Sequence, residues 1–182
     1  MDRLGQLSAL VAERNATSTK IAAIIGRPAQ LGHLGEFIAS ELFGIALEAS
    51  ANNKGFDGRF TYGALTGKTV DVKTYAKREG IVDLRTADLP DYYLVLSGPP
   101  GPASSSKGQD RPWLLSGIHL FNAAELVAAL QSRNLKVGVA ASVARVHWDA
   151  AEVYPRCACR LLSLTEQQCE WLSGFGVSSA SV

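Results

Sequence analysis

The apolar positions fall into two periodic regimes, with a change at the turn cluster 50–55. Before it the spacing is helical. Leu4, Leu7, Leu10 and Val11 share one face of a predicted helix at 4–13. A second apolar stretch at 21–25 stops at Gly26-Arg27-Pro28. Leu34, Phe37, Ile38, Leu42 and Ile45 then predict a helix over 31–49, with Glu36 on another of its faces. After the turn the period becomes two. Segments 57–62 and 68–75 alternate around a loop at 63–67 and predict a β-hairpin. Further strands are expected at 92–97 and 113–121, separated by a Gly/Pro/Ser-rich loop at 98–112 that reads as mobile. Asn122, with Glu125 three residues on, starts a helix that runs to about 133. A fifth strand or a small-residue loop occupies 137–143, and a last helix starts at Thr165 with Gln168 in the capping-box position. This order predicts one α/β domain, a mixed sheet flanked by helices, over 1–172. Residues 1–26 form a helical extension and 173–182 a frayed tail. No internal repeat is evident.

The hairpin carries the chemistry. With the turn centred on Leu65, Asp57 is expected opposite Lys73, Arg59 opposite Asp71 and Phe60 opposite Val70. Alternation puts Asp57, Arg59, Asp71, Lys73 and Tyr75 on one face and Phe60, Tyr62, Val70 and Val72 on the other. A half-wet sheet with stabilising cross-strand Asp–Lys pairs has the same pattern. What tips the balance is Glu36, on a helix that ends only about eight residues before the first strand and therefore packs close to it. Three carboxylates and a lysine around one point suit a hard divalent cation, typically magnesium.

These residues resemble a family. Glu36 on a helix, Asp57 within Gly55-Phe56-Asp57-Gly58, and Asp71-Val72-Lys73 in a strand look like the PD-(D/E)xK nuclease superfamily, to which restriction endonucleases belong. Wider matches extend the likeness to roughly 27–172: Gly35-Glu36-Phe37-Ile38-Ala39, Asp91 to Val95, Arg111-Pro112-Trp113, and His147-Trp148 through Glu152 to Pro155. They are similar to an uncharacterised restriction-endonuclease-like domain family. Phe56 stands where the motif has proline, and Asp71 replaces the commoner glutamate, one methylene longer.

The resemblance implies a restriction-endonuclease-like fold and a magnesium-dependent endonuclease, with manganese as an alternative metal. Asp57, Asp71, the Val72 carbonyl and Glu36 would be the metal ligands, and Lys73 would orient the attacking water. DNA is the expected substrate, with RNA also open, and cutting both strands would take a homodimer or two successive events. The other class of function that fits is an inactive nuclease fold serving as a binding or assembly module.

Charge and composition qualify this picture. Eighteen basic and seventeen acidic side chains give a net charge of +1, without the broad basic excess usual for a nucleic-acid binder. Between residues 51 and 80, however, six basic side chains meet three acidic ones. Arg59, Tyr75, Lys77 and Arg78 are the expected nucleic-acid contacts, by phosphate pairing or by stacking. Three cysteines fit reduced, structural thiols in a cytoplasmic protein rather than a disulfide framework, with His147 the only nearby partner for a metal. No apolar run approaches the roughly 20 residues of a membrane span, and no signal peptide is recognisable. His33 reads as a helix-start histidine and His119 as a satisfied core or semi-exposed residue. Trp113, Trp148 and Trp171 read as core aromatics, and Gly32 and Gly35 do not form a phosphate loop.

Overall fold

In the computed structural model, which describes residues 2–48, 55–101 and 112–176, a six-stranded mixed sheet is covered on both faces. The chain begins with helix α1 (Arg3–Ile25), capped by Asp2, whose side chain accepts from the Gly5 amide at 2.6 Å. The two short segments expected here are one helix. The residues between them are carried through, with Thr19 Oγ1 donating back to the Asn15 carbonyl at 3.0 Å. No α1 residue is buried, so its leucines stay exposed.

Helix α2 (Leu31–Phe43) ends six residues before the expected boundary. Gly44 takes the left-handed conformation at φ 59° and donates to the Ser40 carbonyl, which ends the helix. Ile45, the last position of the helical pattern, belongs instead to β1 (Ile45–Leu47). Strands β2 (Gly58–Phe60) and β3 (Thr69–Tyr75) form the expected hairpin around a 3-10 turn at Gly63–Leu65. Next come β4 (Ile81–Val82), β5 (Tyr92–Ser97), β6 (Gly117–Asn122), α3 (Ala123–Gln131) and β7 (Ala141–Ser142). Helix α4 (Arg145–Ala151), β8 (Glu152–Tyr154) and α5 (Glu166–Ser173) complete the chain. Strand β6 starts four residues later than predicted, and β1, β4, α4 and β8 were not anticipated. Asn122 and the Thr165–Gln168 capping box start α3 and α5 as expected.

The sheet order is β1-β2-β3-β5-β6-β8, with β3 and β5 parallel and the other pairs antiparallel. Asp91 fixes the central pair. Its Oδ2 accepts from Thr69 N at 2.8 Å and Thr69 Oγ1 at 2.9 Å, while its own amide donates to Thr69 Oγ1 at 2.8 Å. One face of the sheet (Val70, Val72, Leu94, Leu96, Ile118, Leu120) packs on Ile38, Leu42 and Phe43 of α2 and Leu172 of α5. The opposite face (Tyr93, Val95, Phe121) is covered by Val82 and Leu84, by Leu126 and Leu130 of α3, and by Trp148 of α4. The face carrying Asp71 and Lys73 is therefore roofed, not open to water as the alternation alone implied.

Three smaller expectations change. Trp171 is 59% exposed and not a core residue. Gly174 to Gly176 are tied to the body, since the Phe175 carbonyl accepts from the Leu115 amide at 2.9 Å and its ring lies tilted against Trp113, so the frayed tail does not begin at residue 173. The three cysteines are free thiols, with Cys157 exposed. The turn at 49–54 and most of the loop expected at 98–112, Arg111 included, lie outside the described residues. No described helix is long and apolar enough to cross a membrane.

Candidate active site

Gly35 lets α2 settle against β3. A methyl there would stand 1.9 Å from Thr74 Oγ1, so only hydrogen fits at this helix–strand contact. That approach brings Glu36 beside the hairpin carboxylates. Gly35→Ala is expected to force α2 outward and cost about 1–3 kcal/mol, a drop of roughly 3–10 °C in Tm. Thermal unfolding followed by circular dichroism checks this.

The hairpin register differs from the expected one by two residues. Gly58 pairs with Val70 and Arg59 with Thr69, not with Asp71. The 3-10 turn, followed by Gly67 at φ 80°, closes the loop tighter than a turn centred on Leu65. A shift of two preserves the faces. It also moves Asp57 away from Lys73 and toward Asp71. Asp57 Oδ2 accepts from the Val72 backbone N–H at 2.7 Å, supplying a partner where β3 outruns β2.

Asp71 is only 5% exposed and pairs with Lys73, Nζ to Oδ1 at 2.7 Å. Burial pushes its carboxyl up to about 6, with the adjoining Asp57 adding to the rise and Lys73 opposing it. Glu36 is half-buried and also raised, first by burial and then by Asp57, against Arg27, His33 and Lys73. Asp57 and Lys73 thus act electrostatically on both Glu36 and Asp71. Sequence reasoning missed Arg27. Its Nη1 lies 2.6 Å from Glu36 Oε2 and its Nη2 donates to the Glu48 carbonyl at 3.0 Å, anchoring the carboxylate from the α1–α2 link. Among the described residues no group of three or more His, Cys, Asp or Glu side chains closes on a common point.

The four expected nucleic-acid contacts stand in different surroundings. Arg59 is exposed, donates to the Gly67 carbonyl at 3.3 Å and lies 4.7 Å over the Phe56 ring. Tyr75 turns inward: its hydroxyl accepts from the Asp83 amide at 2.9 Å, and burial raises its pKa, so it is no rim residue free to stack on a base. Lys77 is half-buried, 3.5 Å from Glu79. Arg78 points to His119 and Trp148. His33 Nδ1 is 2.9 Å from the Pro28 carbonyl, as befits a helix-start histidine.

The donor set suits a hard cation: two adjoining carboxylates, one of them buried and raised, offer only oxygen ligands. Comparison with protein-family models and with curated proteins gave no match for this chain. The architecture is a mixed α/β protein with a six-stranded sheet, and the likeness to PD-(D/E)xK nucleases rests on the residues quoted above.

Proposed function

We propose that the protein is a divalent-metal-dependent nuclease of restriction-endonuclease-like fold, hydrolysing phosphodiester bonds of DNA, with RNA as the alternative substrate. The observation that supports this reading is the Asp57–Asp71 pair with Lys73 Nζ 2.7 Å from Asp71. A lone structural carboxylate would not need a second one beside it in a buried site, because the repulsion is costly until a cation relieves it. Asp57, Asp71 and, more remotely, Glu36 would hold the ion. Bound there, magnesium or manganese supplies Lewis acidity toward a phosphate oxygen.

The chain's own residues do the rest. The Val72 amide orients Asp57, and Arg27 fixes the reach of Glu36. Lys73 carries a positive charge to the point where a water would attack, where it can hold that water and offset the charge developing on the phosphate. A single such site cuts one strand, so cutting both takes a second copy of the chain or a second event.

One observation favours a second reading, a nuclease-like fold acting as a binding or assembly module: Glu36 already has its counter-charge in Arg27. The test is cleavage of supercoiled, single-stranded and branched DNA and of RNA, with magnesium or manganese. Wild type is expected to cut, Asp71→Ala to fall below detection, and Lys73→Ala to slow by about 10²–10⁴-fold. Undiminished cutting by Asp71→Ala would sink the nuclease assignment. Absence of both cutting and calorimetric metal binding would favour the module.

A further inference from the structure

A second polar site lies on the same sheet face, built by residues that the carboxylate pair does not use. Ser97 ends β5 opposite Gly117, and His119 is two residues further along β6. Ser97 is 0% and His119 1% exposed, yet Ser97 Oγ and His119 Nδ1 have no hydrogen-bond partner among the described residues. Both face the space that Gly117 leaves bare. A methyl at Gly117 would press on the imidazole, 2.9 Å from His119 Cε1, and would stand 3.5 Å from Ser97 Oγ and 3.6 Å from His119 Nδ1. The hollow belongs to a cleft of about 310 Å³, lined also by Arg78 and Arg145.

The protonation pattern can be assigned. Arg78 Nη1 is 3.3 Å from His119 Nε2, and a guanidinium can only donate, so Nε2 accepts. Burial, and then the Arg78 charge, depress the His119 pKa to about 4, so the ring is neutral at pH 7 and its proton sits on Nδ1. The hollow therefore presents two donors, Nδ1–H and the Ser97 hydroxyl, and neither has a partner among the described residues. Leaving buried donors unmet is costly, and a ligand oxygen would satisfy both.

The charges around the cleft favour an anionic oxygen. Three arginines (Arg78, Arg145, Arg156) face two carboxylates, Asp149 and Glu152. Arg156 grips both carboxylates, and Arg145 also reaches Asp149 at 3.4 Å. Arg78 pairs with no carboxylate among the described ion pairs and sits 5.8 Å over the Trp148 ring. Arg78 is also among the residues that line the cleft.

We propose that this cleft binds a phosphate group, Ser97 Oγ and His119 Nδ1 donating to one phosphate oxygen and Arg78 to another. The phosphate belongs either to a free nucleotide or to a nucleic-acid strand. Lys73, Val95 and His119 stand side by side across β3, β5 and β6, two strand spacings or roughly 10 Å in all. A strand phosphate held here would flank a bond cut at Lys73. The inference stands without the metal-dependent reading, and its test runs in a chelator to keep the two separate.

The full chain is titrated calorimetrically with inorganic phosphate, with thymidine 5′-monophosphate and with a short oligonucleotide lacking terminal phosphates. Saturable binding is expected, weakened about ten-fold in Ser97→Ala and at least about ten-fold in Arg78→Gln. Among the described residues the Ser97 hydroxyl bonds nothing, so Ser97→Ala should melt like wild type, which separates lost binding from lost structure. Binding of phosphate and the mononucleotide identifies a free-ligand site. Binding of the oligonucleotide alone identifies a strand-phosphate site. No binding by any of the three, or binding that neither variant weakens, overturns the proposal and leaves the hollow a place for water.

Discussion

Asp71→Asn is expected to abolish phosphodiester cleavage and, in a chelator at pH 8, to raise the melting temperature. The two effects share one cause. A carboxylate that is 5% exposed and beside Asp57 is held ionised against desolvation and repulsion, and Lys73 repays only part of that. Its folded pKa of about 6 lies above the ordinary aspartate value of 3.8. Between these values the folded chain binds the extra proton, so stability falls as pH rises through the window. Above pH 6 the ionised group therefore costs on the order of 2–3 kcal/mol, which the amide would recover as roughly 5–10 °C in Tm. Differential scanning calorimetry of both proteins at pH 4 and pH 8 checks it. The gain should be present at pH 8 and nearly absent at pH 4. A lower Tm at pH 8 would mean that the Lys73 ion pair outweighs burial, and the carboxylate pair would then be a structural feature.

The second large effect has the opposite sign. His119 is buried and neutral, with a folded pKa of about 4 against the ordinary histidine value of 6.5. Here the unfolded chain binds more protons between the two values, so stability is lost as pH falls from 6.5 to 4, on the order of 3 kcal/mol. The groups facing the ring are Arg78 and Arg156, which oppose protonation, and Glu152 and Asp149, which favour it. The two carboxyls are themselves held below their ordinary range, chiefly by Arg156, so their own losses begin only below about pH 4.5. In wild type the His119 loss and the Asp71 gain overlap and largely offset each other. Asp71→Asn should therefore show a steep acid limb between pH 6.5 and 4, and adding His119→Gln should flatten it. A limb equally steep in the double variant would assign the acid sensitivity to some other group.

These two residues also show what the chain discloses before it folds. The parity of Asp57, Asp71 and Lys73 was legible because it depends only on alternation, and a two-residue register shift cannot alter it. The register itself was not, because it turns on a 3-10 turn and a left-handed Gly67 that leave no periodic trace. Strand β1 was hidden by Ile45, which continues the helical spacing of Leu42 while Gly44 ends the helix. Glu36 could be read as a site residue from its motif. Its partner Arg27 could not, since that pairing depends on how the link at residues 26–30 folds back. The burial of Asp71 was not legible because the roof over it comes from β4, β7, α3 and α4, distant in sequence. His119 looked like an ordinary core histidine. The signal beside it was Gly117, two positions earlier on the same strand face, where an apolar strand has no need of a glycine.

The Val72 amide has a consequence of its own. A ladder amide gives its hydrogen to another backbone, but this one gives it to the Asp57 side chain. Its exchange with solvent deuterium is thus gated by a single rotatable carboxylate instead of by the unzipping of two strands. Anything that draws Asp57 away would unlock that amide while leaving β3 intact. One resonance in a nitrogen–proton spectrum would then report what occupies the neighbouring oxygens, with no substrate and no label beyond isotope.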